Sequence, residues 1–238
     1  MQQYFVNLEN DKFRLKDEDL YHLAVVLRAE KKQIACVYDG ESFLCEFNGN
    51  KDSYEIKVIE KIDHDSELDI DIEIYQALIR NENFDLVLQK ATELGAKAIA
   101  PTIFERNVVK IEDNKKENKI KRFETICKNA SEQSRRIIVP EILPIQNVKN
   151  ITLKDGEIGL VCYEKNSDIK SLSNIKDEVL KANKIKVVIG PEGGISEKEY
   201  NALIDNGFYS ISLGKRILRS ETAAFNILSV LGFMIENK

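Results

Sequence analysis

Histidines and clustered cysteines are scarce in this 238-residue chain. It holds two histidines, His22 and His64, and four cysteines, Cys36, Cys45, Cys127 and Cys162, with no Cys-x-x-Cys pair. A structural zinc site needs thiol and imidazole ligands in close groups, so no metal is expected. The scattered cysteines read as reduced thiols, mostly packed. No apolar run approaches the ~20 residues that a membrane helix needs. The start, MQQYFVNLEN, lacks the basic end and apolar stretch of a signal peptide. A cytoplasmic chain with no membrane partner is therefore expected. The dinucleotide fingerprint G-x-G-x-x-G and the phosphate loop G-x-x-x-x-G-K-[ST] are also missing, which disfavours a dinucleotide-dependent enzyme.

Apolar residues at 43% suffice for a sizeable core, and charged residues at 32% for a soluble surface. The length allows one large domain or two smaller ones. The net charge of −5 runs against a nucleic-acid footprint, but it is unevenly spread. Residues 1–70 carry 9 basic and 16 acidic side chains, whereas residues 106–136 carry 10 basic and 5 acidic. That second stretch fits either a solvated, salt-bridged helix or a phosphate-binding face. Charge alone favours the first.

Two organisations follow one another along the chain. Tyr4 to Leu8, Gln33–Tyr38, Ser42–Phe47 and Tyr54–Ile62 read as strands, with turns at Asp39-Gly40 and Asn48-Gly49-Asn50. One helix, Asp17 to Arg28, lies among them with Leu20, Leu23, Ala24 and Leu27 on one face. This predicts a small barrel. From Ile70 onward strands and helices alternate, which predicts an α/β layered domain. Its strands are Ile72–Ile79, Ala98–Pro101, Ile158–Cys162, Ile185–Ile189 and Ile211–Leu213. Its helices are Phe84–Leu94 with Gly95 as the stop, Lys115–Ser134, a segment near Ile169–Ala182, and Glu221–Ile235. The expected division is 1–69 and 70–238.

Two glycine-bearing junctions carry the chemistry. Gly190-Pro191-Glu192-Gly193-Gly194 follows the apolar strand ending at Ile189 and precedes a helix opened by a Ser196/Glu199 capping box. Such loops lie where open α/β sheets bind ligands. Taken alone, this one fits a ligand loop or an ordinary capped βα turn. Glu192 would repel a phosphate and suits a cationic or neutral ligand. The second junction runs from Leu213-Gly214 through Arg216, Ile217, Leu218 and Arg219 to Ser220-Glu221, with Ser220 expected as the N-cap. Ile217 and Leu218 fit inward packing with snorkelling arginines equally well.

Together these residues resemble a known family. GPEGG-x-S-x-x-E followed by LG-x-R-I-L-R-x-E-T-A is similar to the signature of the RsmE family of the SPOUT superfamily. Gln89–Gly95 resembles its QKATELG helix. Arg122 with Ala130, Glu132, Gln133 and Arg136 resembles its R…A-x-EQ-x-x-R helix. His22 and Val26-Leu27-Arg28 resemble the H-x-x-x-VLR of its first domain. The likeness spans nearly the whole chain. Gln3 departs from it, standing where relatives carry arginine, as does Ile79-Arg80 in place of an earlier basic residue.

The resemblance implies a PUA-like RNA-binding barrel at 1–69 and a SPOUT α/β domain with a trefoil knot at 70–238. It implies a homodimer that uses S-adenosyl-L-methionine to methylate N3 of a uridine in 16S rRNA of the small ribosomal subunit. Alternatives are another RNA, tRNA or 23S rRNA, or a non-catalytic RNA-binding assembly factor. The implied cofactor residues are Cys162, Tyr163, Glu164, Ile189, Gly190, Glu192, Gly193, Gly194, Leu213, Gly214, Ile217, Leu218 and Arg219. Arg219 is expected to stabilise charge on a uracil carbonyl, and Glu192 or Glu221 to accept a proton or hold Arg219. RNA contacts are expected from His22, Arg28, Arg106, Arg122, Arg135 and Arg136.

Overall fold

In the computed structural model, residues 1–64, 66–109, 112–163 and 171–238 are described. The chain forms two compact units, and they are not contiguous in sequence. Residues 131–138 belong with 1–67, and the remainder forms the second unit.

The first unit opens with β1 (Gln3–Phe5), β2 (Asn7–Glu9) and β3 (Lys12–Arg14), then α1 (Asp17–Tyr21). It continues through β4 (Lys31–Tyr38), β5 (Glu41–Gly49) and β6 (Tyr54–Ile62). The sheet order is β1-β4-β5-β6, with β1 parallel to β4 and the other pairs antiparallel. β2 and β3 make a separate hairpin. Asp39 and Gly40 both take positive φ, 49° and 72°, as a tight two-residue hairpin turn requires. The next turn starts later than expected, because Asn48 and Gly49 stay in β5 and the Asn50 side chain accepts from Asp52 and Ser53 amides. Leu23, Ile34, Cys36, Cys45 and Phe47 form the core of this unit.

The single helix expected over Asp17 to Arg28 is interrupted. α1 ends at Tyr21 and His22–Val26 forms a wider π turn, closed by Leu27 N–H on the His22 carbonyl at 2.9 Å. Arg28 then turns the chain with φ 51°. The turn keeps Leu23 fully buried and leaves Val25 and Val26 exposed.

The second unit contains β7 (Asp71–Ala77), α2 (Asn81–Glu93), β8 (Ala98–Ile103) and most of α3 (Lys116–Ser134). β9 (Glu141–Ile142), β10 (Gln146–Asn147), β11 (Glu157–Cys162), α4 (Lys176–Lys181) and β12 (Lys184–Ile189) follow. α5 (Glu197–Asp205), β13 (Tyr209–Ile211) and α6 (Ser220–Glu236) complete it. The sheet is parallel, in the order β8-β7-β12-β11-β13, and both short strands β9 and β10 pair with β8. The expected helix near Ile169 begins outside the described residues; its described part is a short turn at Leu172–Ile175 and then α4.

Strand alternation divides this core in two. Ile185, Val187 and Ile189 face a cluster with Phe84, Leu88, Phe123 and Leu228, on the side of α2, α3, α4 and α6. Val188, Val161 and Tyr75 face a cluster with Leu203 and Phe208, on the side of α5. β12 enters late in sequence yet lies between β7 and β11. Lys184 of β12 pairs with Glu73 of β7, and Lys186 with Glu157 of β11 at 2.6 Å. The second pair is nine-tenths buried, and a shift in register would strand its charges in a medium that penalises them. Among the described residues no helix is long and apolar enough to cross a membrane, and no group of three or more potential ligand side chains could hold a metal.

Gly159 in β11 has a packing reason. A Cβ added there would lie 2.5 Å from the ring of Phe208, which is itself buried. Gly159→Ala should therefore cost about 1–3 kcal/mol of stability by overpacking. Urea denaturation checks it, and an unchanged midpoint would mean that the ring has room to move.

Candidate functional site

At the C-terminal ends of β11, β12 and β13, Cys162 and Tyr163 together with the loops after β12 and β13 bound a cavity of about 620 Å³. That volume lies within the ~300–1,000 Å³ range of small-molecule sites.

The loop after β12 is shaped by close approach. A Cβ on Gly190 would meet Ile195 Cγ1 at 2.6 Å, so only glycine lets Ile195 pack there. Gly194 donates to the Pro191 carbonyl at 2.8 Å and takes φ +74°, which turns the chain into α5. The expected capping box is present: the Ser196 hydroxyl caps Glu199 N–H while the Glu199 carboxylate accepts from Ser196 N–H at 3.1 Å. Glu199 also accepts from Glu105 N–H at 2.7 Å, which fixes the segment carrying Arg106 and Val108. Arg106 in turn donates to the Gly193 carbonyl at 3.4 Å.

The loop after β13 starts earlier than the sequence pattern suggests. β13 ends at Ile211, so Leu213 lies in the loop and lines the cavity instead of continuing the strand. Ser212 Oγ accepts from Gly214 N–H at 3.2 Å. Ile217 is 82% exposed, which removes the inward-packing reading for it. An aliphatic side chain displayed beside a cavity suits contact with a flat apolar ligand face. Behind β11, Tyr163 stacks on Tyr200 with ring centroids 4.3 Å apart, and its N–H donates to the Ile211 carbonyl at 3.3 Å. Burial pushes the Cys162 thiol up to about 12, so it stays protonated and forms wall, not nucleophile.

Ser220 ties the loops together, in a role different from the expected one. Arg219 occupies the N-cap position of α6 and makes no side-chain cap; Ser220 is the first helical residue. Its hydroxyl donates to the Gly190 carbonyl at 2.7 Å and accepts from Gln76 Nε2 at 2.8 Å. Gln76 sits fully buried near the end of β7. One hydroxyl thus joins β7, the glycine loop and α6.

The lining carries both signs of charge. Glu192 is exposed at its edge, while Glu221 is 8% exposed and has no hydrogen bond or ion pair to a described side chain. Arg216 and Arg219 line it too. Of the residues expected at the site, the cavity brings together Cys162, Tyr163, Ile189, Gly190, Glu192 and Gly194 from two loops. From the third come Leu213, Gly214, Ile217, Leu218 and Arg219, with Glu221. Gly193 lies outside the wall, against Arg106, and Glu164 lies outside the described residues. Arg80, Asn83 and Val108 also line the cavity and were not foreseen. Arg80 stood out only as a departure from the family pattern.

The expected RNA contacts are spread over both units. In the first, His22 is exposed with Nδ1 3.1 Å from the Tyr4 hydroxyl, Arg28 is exposed, and Arg135 is exposed with φ 60°. In the second, Arg106 is exposed and Arg122 is held by Asp85, with Nη1 to Oδ1 at 2.9 Å. Arg136 is a correction. It is 3% exposed and its guanidinium is paired with Glu67, with Nε to Oε2 at 3.1 Å, so it is a structural cation with no surface to offer a phosphate. Its carbonyl accepts from Gln3 Nε2 at 2.7 Å, which gives the departing Gln3 a structural task.

Ser220→Ala should leave the Gln76 amide and the Gly190 carbonyl without their shared partner, at a cost of about 1–3 kcal/mol. Equilibrium denaturation measures it; a neutral result would show that the tie is dispensable.

The RNA methyltransferase domain model matches residues 66–232. The chain is 33% identical over 250 residues to ribosomal RNA small subunit methyltransferase E of Bacillus subtilis, covering 99% of this chain and 98% of that one. It is 36% identical over 233 residues to the protein of the same name from Mesomycoplasma hyopneumoniae, covering 96% and 98%. Ribosomal RNA small subunit methyltransferase E from Neisseria gonorrhoeae, solved bound to S-adenosyl methionine, superimposes with a TM-score of 0.87 at 26% identity over 98% of both chains. With one family matched across most of its length and full-length likeness to that family's members, this chain belongs to the ribosomal RNA small subunit methyltransferase E family of RNA methyltransferases.

Proposed function

We propose that this chain methylates N3 of a uridine in 16S rRNA of the small ribosomal subunit, using S-adenosyl-L-methionine. The observation that carries the reading is the cavity between the Gly190 loop and the Leu213–Ser220 loop, in a chain of this family. Its donor set fits the cofactor. Glu192 and Glu221 offer carboxylates to cationic groups, and Leu213, Ile217 and Leu218 offer apolar surface to an adenine. The residues held as cofactor contacts remain Cys162, Tyr163, Ile189, Gly190, Glu192, Gly193, Gly194, Leu213, Gly214, Ile217, Leu218 and Arg219, with Glu164 completing the set.

The bound cofactor supplies an activated methyl group; the chain supplies position and charge. Arg219, exposed at the start of α6, stabilises negative charge on a uracil carbonyl as the N3 proton leaves. Glu221, buried and without a partner among the described side chains, or Glu192 receives that proton or orients Arg219. His22, Arg28 and Arg135 in the first unit, with Arg106 and Arg122 in the second, contact RNA.

The first unit acts as a PUA-like RNA-binding barrel, supported by its four-stranded sheet with a parallel β1–β4 pair. The second is a SPOUT domain with a trefoil knot, supported by the late insertion of β12 between β7 and β11. The division at 1–69 and 70–238 and a cytoplasmic location belong to the same reading. So does a homodimer. Leu228, Leu231 and Ile235 of α6 are core, but Phe233 is 68% exposed and Val230 38%, an apolar face that a second copy would cover.

The test is methylation of small ribosomal subunits that lack the mark, followed by nucleoside mass spectrometry. Cofactor-dependent 3-methyluridine is expected; another methylated nucleoside would contradict the target. Arg219→Ala should lower turnover about 100-fold and weaken cofactor binding by clearly less. Equal loss of both would remove its assigned role.

A further inference from the structure

We propose that Arg80 and Asn83 form the nucleotide subsite of this cavity, with Arg80 holding a phosphate of the RNA chain and Asn83 hydrogen-bonding the target base. The inference rests on the RNA-methylating reading above and names residues that lie outside all three loops of the cofactor site.

The cavity carries more guanidinium groups than its cofactor can use. Arg80, Arg216 and Arg219 all line the cavity, and none has a side-chain ion pair or hydrogen bond to a described residue. S-adenosyl-L-methionine carries one carboxylate, so one guanidinium satisfies its only anionic group. The remaining arginines face a second, anionic ligand. A phosphate is the group that a forked guanidinium binds best.

Position selects Arg80 among them. Arg216 and Arg219 sit in the loop that carries Leu213, Ile217 and Leu218, whereas Arg80 sits at the β7–α2 junction. It is the residue at the start of α2, with φ −52° and ψ 143° and no side-chain cap. Asn83 follows in the first turn, half-buried, with its amide unpaired to any described residue. α2 packs against α6, whose first residue holds Gly190, so the junction is fixed relative to the glycine loop. An asparagine amide can donate to a uracil carbonyl and leave the ring nitrogen free to react.

The test measures binding of the full-length chain to unmethylated small ribosomal subunits across about 50–200 mM salt. Arg80→Ala and Arg80→Gln should each weaken binding and make the log Kd against log salt slope shallower by about 0.7–0.9, the share of one phosphate contact. Arg80→Lys should keep the slope, because the charge remains. S-adenosyl-L-methionine affinity should stay within about twofold of the parent in all three, and Asn83→Ala should lower kcat/KM for the subunit about tenfold with no change of slope. An unchanged slope in Arg80→Ala overturns the inference, as does a loss of cofactor affinity equal to the loss of subunit binding. If the parent chain itself fails to bind the subunit, the reading beneath the inference falls, and the inference with it.

Discussion

The site depends on one hydroxyl. Ser220 Oγ donates to the Gly190 carbonyl and accepts from the buried Gln76 amide, so the last helix, the glycine loop and the central strand β7 hold one another in place. β12 makes that tie reachable. Because it lies between β7 and β11, its loop leaves from the middle of the sheet, beside the end of β7. The buried Lys186–Glu157 pair and the Lys184–Glu73 pair at the other end of the same strands fix that order. The strand order thus positions the loop, and the loop carries the candidate chemistry.

Local patterns were legible where local physics decides them. The Ser196/Glu199 box, the Asp39-Gly40 turn and the β12 strand each follow from side chains within a few residues of one another. Long-range partners were not legible. Nothing near Ser220 in sequence announces Gln76, 144 residues away, so Ser220 read as an N-cap. Arg136 read as a surface cation because its partner Glu67 lies 69 residues away. Leu213 read as strand because periodicity does not mark where the ladder stops. The loops of the candidate site were found through motif resemblance; the Arg80/Asn83 wall has no motif and needed the fold.

The charge paradox of the sequence is resolved locally. Among the described residues of a chain of net −5, Arg80, Arg216 and Arg219 line one cavity without a side-chain partner, and Glu192 and Glu221 line it too. A cationic cofactor and an anionic polymer ask for opposite fields within one site. Side chains a few ångströms apart can supply both, where a uniformly basic surface would oppose the cofactor. The long basic segment 106–136 is in part consumed by structure, through Arg122 with Asp85 and Arg136 with Glu67.

The most direct test of this account is a crystal structure of the chain with S-adenosyl-L-methionine. The expected result is cofactor density bounded by Gly190–Gly194 and Leu213–Leu218, with the Ser220 hydroxyl still on the Gly190 carbonyl. Density elsewhere, or loops rearranged so that the Ser220 tie is broken, would contradict a site preformed by that hydroxyl.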